Sequence, residues 1–127
     1  MSESVGFVGL GTMGRPMAVN LVKAGYKLTV YDVDGSAVEA LVGLGASPAS
    51  SARDVAESST VIVSMLPASQ HSMAAAFGPE GYIAGLSTNA TVIDMSTIDP
   101  DTTRQIAIAV TEAGGKMLDA PVSGSSA

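Results

Sequence analysis

Short apolar runs alternate with amphipathic stretches along the whole chain. Residues 5–9 are an apolar run, after which Met13, Met17 and Leu21, with Ala18 and Ala24 beside them, recur at helical spacing until Gly25 offers a C-cap. Residues 27–31 read as a second strand ending at Asp32, and residues 36–44 place Val38, Leu41 and Val42 on one helical face before Gly45. Fainter signals predict a third strand near Ala46 and a short helix over 52–57, both rich in small residues. The run at 60–66 is an apolar strand stopped by Pro67, and 69–86 reads as a short helix, a Gly-Pro turn and a second helical turn. Residues 91–95 form the next strand. Asp99 then supplies an N-cap and Pro100 the first position of a helix whose buried face is Ile106, Ala109, Val110 and Ala113; residues 117–120 make the last strand.

Strand and helix in regular alternation call for a parallel sheet covered on both faces, because each crossover carries its helix right-handedly over the sheet. The expected fold is a doubly wound α/β sheet of the Rossmann type, and 127 residues hold one such domain and no second one. Composition narrows the partners. The formal charge is −6, and the six basic residues are scattered, which leaves no footprint for nucleic acid or an anionic membrane. There is no cysteine, and the single histidine, His71, has no companion at metal-ligand spacing, so no metal is expected. No apolar span approaches membrane length and the first residues lack the pattern of a targeting segment, which points to the cytoplasm.

Gly9-Leu10-Gly11-Thr12-Met13-Gly14 is a G-x-G-x-x-G set between a predicted strand and the start of a helix, the context that gives the pattern physical meaning. Gly9 permits a tight turn, Gly11 lets the backbone approach a pyrophosphate, and Gly14 lets the helix pack on the strand. The helix start offers unpaired N–H groups and the positive end of its dipole, so an acidic protein can still hold a dianion. Asp32 closes the second strand eighteen positions after Gly14, near the offset expected of an acid that hydrogen-bonds a ribose diol. That carboxylate repels a 2′-phosphate, and neither Val33 nor Asp34 supplies an arginine to receive one, so NAD is expected over NADP. A second reading makes Asp32 a turn residue before Asp34 and Gly35.

Four segments carry a more specific likeness: Gly-Leu-Gly-Thr-Met-Gly-Arg-Pro-Met-Ala-Val-Asn-Leu at 9–21, Met65-Leu66-Pro67, Asp94-Met95-Ser96-Thr97-Ile98-Asp99-Pro100, and Asp119-Ala120-Pro121-Val122-Ser123-Gly124. In that order and spacing the chain resembles the N-terminal half of 3-hydroxyisobutyrate dehydrogenases and related β-hydroxyacid dehydrogenases, over essentially its whole length. The resemblance implies a dinucleotide-binding domain over 1–120. Residues 121–127 become the substrate loop and the start of a connection to a C-terminal helical domain that this chain lacks. It implies NAD held by Gly9, Leu10, Gly11, Thr12, Met13, Gly14 and Asp32, with Leu66, Pro67 and His71 beside the cofactor and Thr97 against nicotinamide and substrate. His71 stands where the family often has Asn. Ser123 and Gly124 match the loop that grips the carboxylate of a small hydroxy acid, and Ser125 replaces a family glycine and so can narrow that pocket.

The implied activity is hydride transfer between NAD(H) and a short 3-hydroxy acid or its semialdehyde, of the 3-hydroxyisobutyrate or tartronate semialdehyde type. The whole protein is expected to be a homo-oligomer. The family's proton-transferring lysine lies beyond Ala127, so no catalytic residue is assigned here and the 127 residues alone are expected to be inactive. Asp94 and Asp119 read as loop anchors accepting backbone hydrogen bonds, and Ser96 as either a ligand group or a hydroxyl that satisfies backbone. Two other classes compete: a non-catalytic NAD-sensing or docking module, and a methyltransferase using the same glycine turn for S-adenosylmethionine. The apolar lead-in to Gly9, with no acidic residue, argues against the second.

Overall fold

A computed structural model describes residues 4–120. Strands β1 (Ser4–Val8), β2 (Lys27–Tyr31), β3 (Ser47–Pro48), β4 (Val61–Ser64), β5 (Thr91–Asp94) and β6 (Lys116–Asp119) form one sheet. All its pairings are parallel, and the spatial order is β3-β2-β1-β4-β5-β6. Between them run helices α1 (Gly14–Lys23), α2 (Gly35–Val42), α3 (Ala52–Glu57), α4 (Ser69–Ala76) and α5 (Pro100–Glu112), with a 3-10 turn at Tyr82–Gly85. The doubly wound Rossmann topology expected from the alternation is therefore present in these residues. Strand order reverses between β1 and β4, and a crevice opens at such a reversal, outside the carboxyl ends of the strands.

Two cores hold the layers together. Phe7, Leu28 and Val30 of the sheet pack with Ala18 of α1 and Leu41 of α2 on one face. Ile62 and Val92 pack with Val55 of α3, Ala76 of α4 and Ile106 and Val110 of α5 on the other. The short apolar runs are thus strands buried on both faces, which is why they show little alternation. Helix ends follow from local chemistry: α1 and α2 are followed by Gly25 and Gly45 at positive φ, and Asp99 caps α5 by accepting the Thr102 N–H at 2.9 Å.

Some details differ from the pattern. The buried face of α5 is Thr102, Ile106 and Val110, whereas Ala113 is exposed and Ala109 half-buried. The helix ends at Glu112, and a strict four-residue stagger, not the apolar character of alanine, decides which side meets the sheet. Val42 is partly exposed, at 38%, because Ala37, Val38 and Leu41 already fill the α2 face, and Ala24 is exposed as the C-cap of α1. The last strand begins at Lys116, set by its pairing with Thr91. Among the described residues no helix is long and apolar enough to cross a membrane, and no group of three or more acidic or histidine side chains could hold a metal.

Candidate dinucleotide-binding site

The three glycines after β1 are placed differently. Gly9 has φ +102°, and a Cβ there would overlap the Met65 carbonyl oxygen and come within 2.9 Å of the Leu66 side chain, so the turn is pressed against the exit of β4. A Cβ at Gly14 would overlap the Gly9 carbonyl and meet the Phe7 ring at 3.2 Å, which seats the first residue of α1 directly on β1. Gly11 faces open space, with nothing within 4 Å of the Cβ position. The protein itself thus leaves room at Gly11, and only a ligand would make that position crowded.

Behind this turn α1 begins bare. No side chain caps it and its first turn holds no acid; the Arg15 N–H donates to the Gly11 carbonyl at 2.9 Å and Pro16 has no N–H, so what faces an anion is the positive end of the dipole and the N–H groups ahead of Arg15. Asp32, at the exit of β2, reaches across to the turn. Its Oδ2 accepts the Leu10 N–H at 2.6 Å and its Oδ1 the Asp34 N–H at 2.8 Å. The turn reading of Asp32 is therefore realised, and it does not compete with a ligand, because each carboxylate oxygen keeps lone-pair capacity for a further donor.

These groups line a cleft of about 700 Å³ at the carboxyl edge, together with Thr12, Met13, Leu66, Pro67 and His71. Leu10 does not line this cleft, its side chain lying in the core. Thr97 is exposed after β5 and does not line this cleft. Ser123, Gly124 and Ser125 lie outside the described residues.

The opposite wall was not foreseen. It consists of Val33, the start of α3 at Ser51 and Ala52, and the segment from Ala74 to Gly81. Its Gly-Pro turn was visible as a turn, but nothing local shows that it folds back over the cleft. A contact distant in sequence does that: the Arg53 backbone N–H donates to the Glu80 carbonyl at 2.8 Å, and Arg53 Nη1 to the Pro79 carbonyl at 3.2 Å.

At the exits of β4 and β5 the polar groups serve structure. Ser96 Oγ accepts the Leu66 N–H at 2.7 Å, and the Ser96 N–H donates to Asp94 Oδ1 at 2.9 Å, so Ser96 satisfies backbone and Asp94 anchors a loop. Burial raises the Asp94 carboxyl above the usual carboxylate range, partly offset by its bonds to Ser96, and Asp119 adds to the rise. Burial also raises the Tyr82 phenol, with Asp94 as the lesser cause. Asp99 goes the other way, lowered to about 2 by hydrogen bonding to Ser69 and then to Thr102. The three lysines offer no acid for the cleft: Lys23 ends α1, while Lys27 and Lys116 begin strands, all at the amino edge.

A bare helix start, an open glycine and a strand-end carboxylate at a sheet reversal define a dinucleotide-binding protein. Residues 4–127 match the family described as the NAD binding domain of 6-phosphogluconate dehydrogenase, and the chain belongs to that family of NAD-binding domains. It is 49% identical over 125 residues to an NAD-dependent L-serine dehydrogenase of Pseudomonas aeruginosa, covering 98% of this chain and 42% of the relative. To a 3-hydroxyisobutyrate dehydrogenase of the same organism it is 46% identical over 120 residues, covering 94% and 40%. The structure of Mycobacterium tuberculosis 3-hydroxyisobutyrate dehydrogenase with L-serine superposes with a TM-score of 0.88 at 31% identity, covering 98% and 42%. The likeness to the NAD-binding half of 3-hydroxyisobutyrate dehydrogenases is confirmed, NAD is the supported cofactor, and the methyltransferase alternative gains nothing. The chain spans about two fifths of the length of these relatives.

Proposed function

We propose that this chain is the cofactor-binding part of an oxidoreductase that passes a hydride between NAD(H) and the hydroxyl-bearing carbon of a short 3-hydroxy acid, or its semialdehyde. One juxtaposition carries the reading: open Gly11 and the uncapped α1 start stand beside a carboxylate, Asp32, that the turn's own backbone holds in place. The pyrophosphate would lie over the backbone of Gly11, Thr12 and Met13, and a ribose diol would donate to Asp32. Leu66, Pro67 and His71 would flank the cofactor, with Thr97 toward nicotinamide and substrate. The chain's part in catalysis is to orient the cofactor and exclude water, while NAD supplies the redox chemistry.

The relatives' named substrates, L-serine and 3-hydroxyisobutyrate, are both carboxylic acids with a hydroxyl on the third carbon, which supports that substrate class; tartronate semialdehyde shares the same skeleton. In this reading Thr97, Ser123, Gly124 and Ser125 meet the substrate, and residues 121–127 connect to the rest of a longer, homo-oligomeric, cytoplasmic enzyme. Proton transfer belongs to that longer protein, since all three lysines here lie at the amino edge. Calorimetric titration tests the cofactor assignment. NADH should bind about tenfold or more tighter than NADPH, the scale of one charge-assisted hydrogen bond exchanged for repulsion at Asp32. Equal affinities would refute it.

A further inference from the structure

The cleft accounts for the groups that line it but not for Asp94, a carboxyl group shut from solvent behind the cleft wall. Its Oδ1 accepts the Ser96 N–H at 2.9 Å, its backbone carbonyl accepts the Ala120 N–H at 2.9 Å, and its Oδ2 is buried with no hydrogen-bond partner. Ser96, also buried, accepts the Leu66 N–H on Oγ at 2.7 Å and reaches the Ser64 carbonyl at 3.5 Å. Leu66 in turn leans on Gly9, where a Cβ would fall within 2.9 Å of its side chain. A continuous run of contacts thus joins a buried acid on β5, through Ser96 and Leu66, to the glycine turn. Stability alone does not call for a carboxyl group at an interior strand position, since a buried oxygen without a partner costs free energy that an aliphatic side chain would not.

We propose that Asp94 is a positioning residue of the cofactor cleft, setting the wall made by Leu66 and Pro67 through its hold on Ser96. A serine hydroxyl on a loop can turn among staggered wells and choose other acceptors or donors. Pinning the Ser96 backbone to Asp94 Oδ1 keeps Oγ aimed at the Leu66 N–H, so the wall keeps one position against the turn. Burial favours the uncharged carboxyl, with Asp119 facing it from β6 and Tyr82 beside it from the 3-10 turn. Asparagine is therefore the conservative replacement: it is uncharged and retains a carbonyl oxygen for the Ser96 N–H.

The proposal rests on the NAD(H) reading of the cleft, and NADH titration of the 127-residue chain with parallel melting curves tests it. Asp94→Ala and Ser96→Ala should each weaken NADH binding about 3- to 10-fold, the range of one hydrogen bond. The double variant should be no weaker than the weaker single, because both act through one linkage. Asp94→Asn should restore affinity to within about twofold. If Asp94→Ala fails to fold, Ser96→Ala combined with Asp94→Asn carries the same test. Unchanged NADH affinity in Ser96→Ala, additive losses in the double variant, or failure of Asp94→Asn to rescue would overturn the proposal while leaving the cofactor reading intact. Absence of NADH binding by the unsubstituted chain would overturn the cofactor reading and this proposal with it.

Discussion

Helices α1 and α5 start at the same edge of the sheet and are treated in opposite ways. At α5 every local device closes the terminus. Asp99 accepts from both the Thr102 N–H and its hydroxyl, Pro100 removes a donor at the first position, and Asp101 sits in the first turn against the dipole, paired with Arg104 at 2.8 Å. At α1 no side chain caps the entry and the first turn holds no acid, although Pro16 removes a donor there as Pro100 does at α5. A terminus finished by its own side chains supports the fold, and one left unfinished is available to a ligand. The difference is therefore a reading of purpose that neither helix gives alone.

Substitutions that should split the two kinds of terminus differ in size. Gly9→Val should be the most damaging, since it forces a branched side chain into positive φ and into the Met65 carbonyl. Losses above about 3 kcal/mol are expected in denaturant unfolding. Gly11→Val, two residues away in open space, should melt close to the parent yet lower NADH affinity about 100-fold or more, because only the ligand occupies the space its side chain would enter. Equal damage to folding by both would erase the distinction between packed and open glycines.

Asp32→Ala should weaken NADH binding by about 1 to 2 kcal/mol in calorimetry, as one charge-assisted acceptor is lost, and narrow the gap to NADPH. The smallest effect should come from Asp99→Ala, which should lower the melting temperature and leave NADH affinity unchanged. Its carboxyl is lowered from 3.8 to about 2, so the stabilisation it gives is whole above about pH 4 and lost as pH falls through about 2. Unfolding measured across that window should show this component in the parent and not in Asp99→Ala; identical pH profiles would mean the cap contributes nothing.

Much of this was legible in the sequence because it depends on neighbours within a few positions. The Asp99 cap with Pro100 at the first position, the helix at 52–57, and the split of 69–86 into helix, Gly-Pro turn and second helical turn all appear as read. The glycine turn and Asp32 each follow a predicted strand, and a parallel sheet puts the ends of both at one edge. What the sequence hid depends on contacts across the chain. Arg53 pulling residues 79 and 80 over the cleft joins segments more than two dozen positions apart. Ser96 could be read two ways until its hydroxyl was found on the Leu66 N–H, thirty residues earlier. Local pattern also misjudged alanine: Ala109 and Ala113 look apolar in sequence, yet small side chains on the rim of a helix cost little when left to water.

The two-residue strand β3 ends the sheet on one side, and its composition bears on what that edge offers to another strand. The Ala49 N–H bonds inward to the Val30 carbonyl at 2.9 Å, so by alternation the nitrogen of Pro48 is the one turned outward, and it carries no hydrogen. An incoming strand would find no donor there, and little length to pair with. At that margin a single imino acid removes the donor on which strand-to-strand pairing would be built.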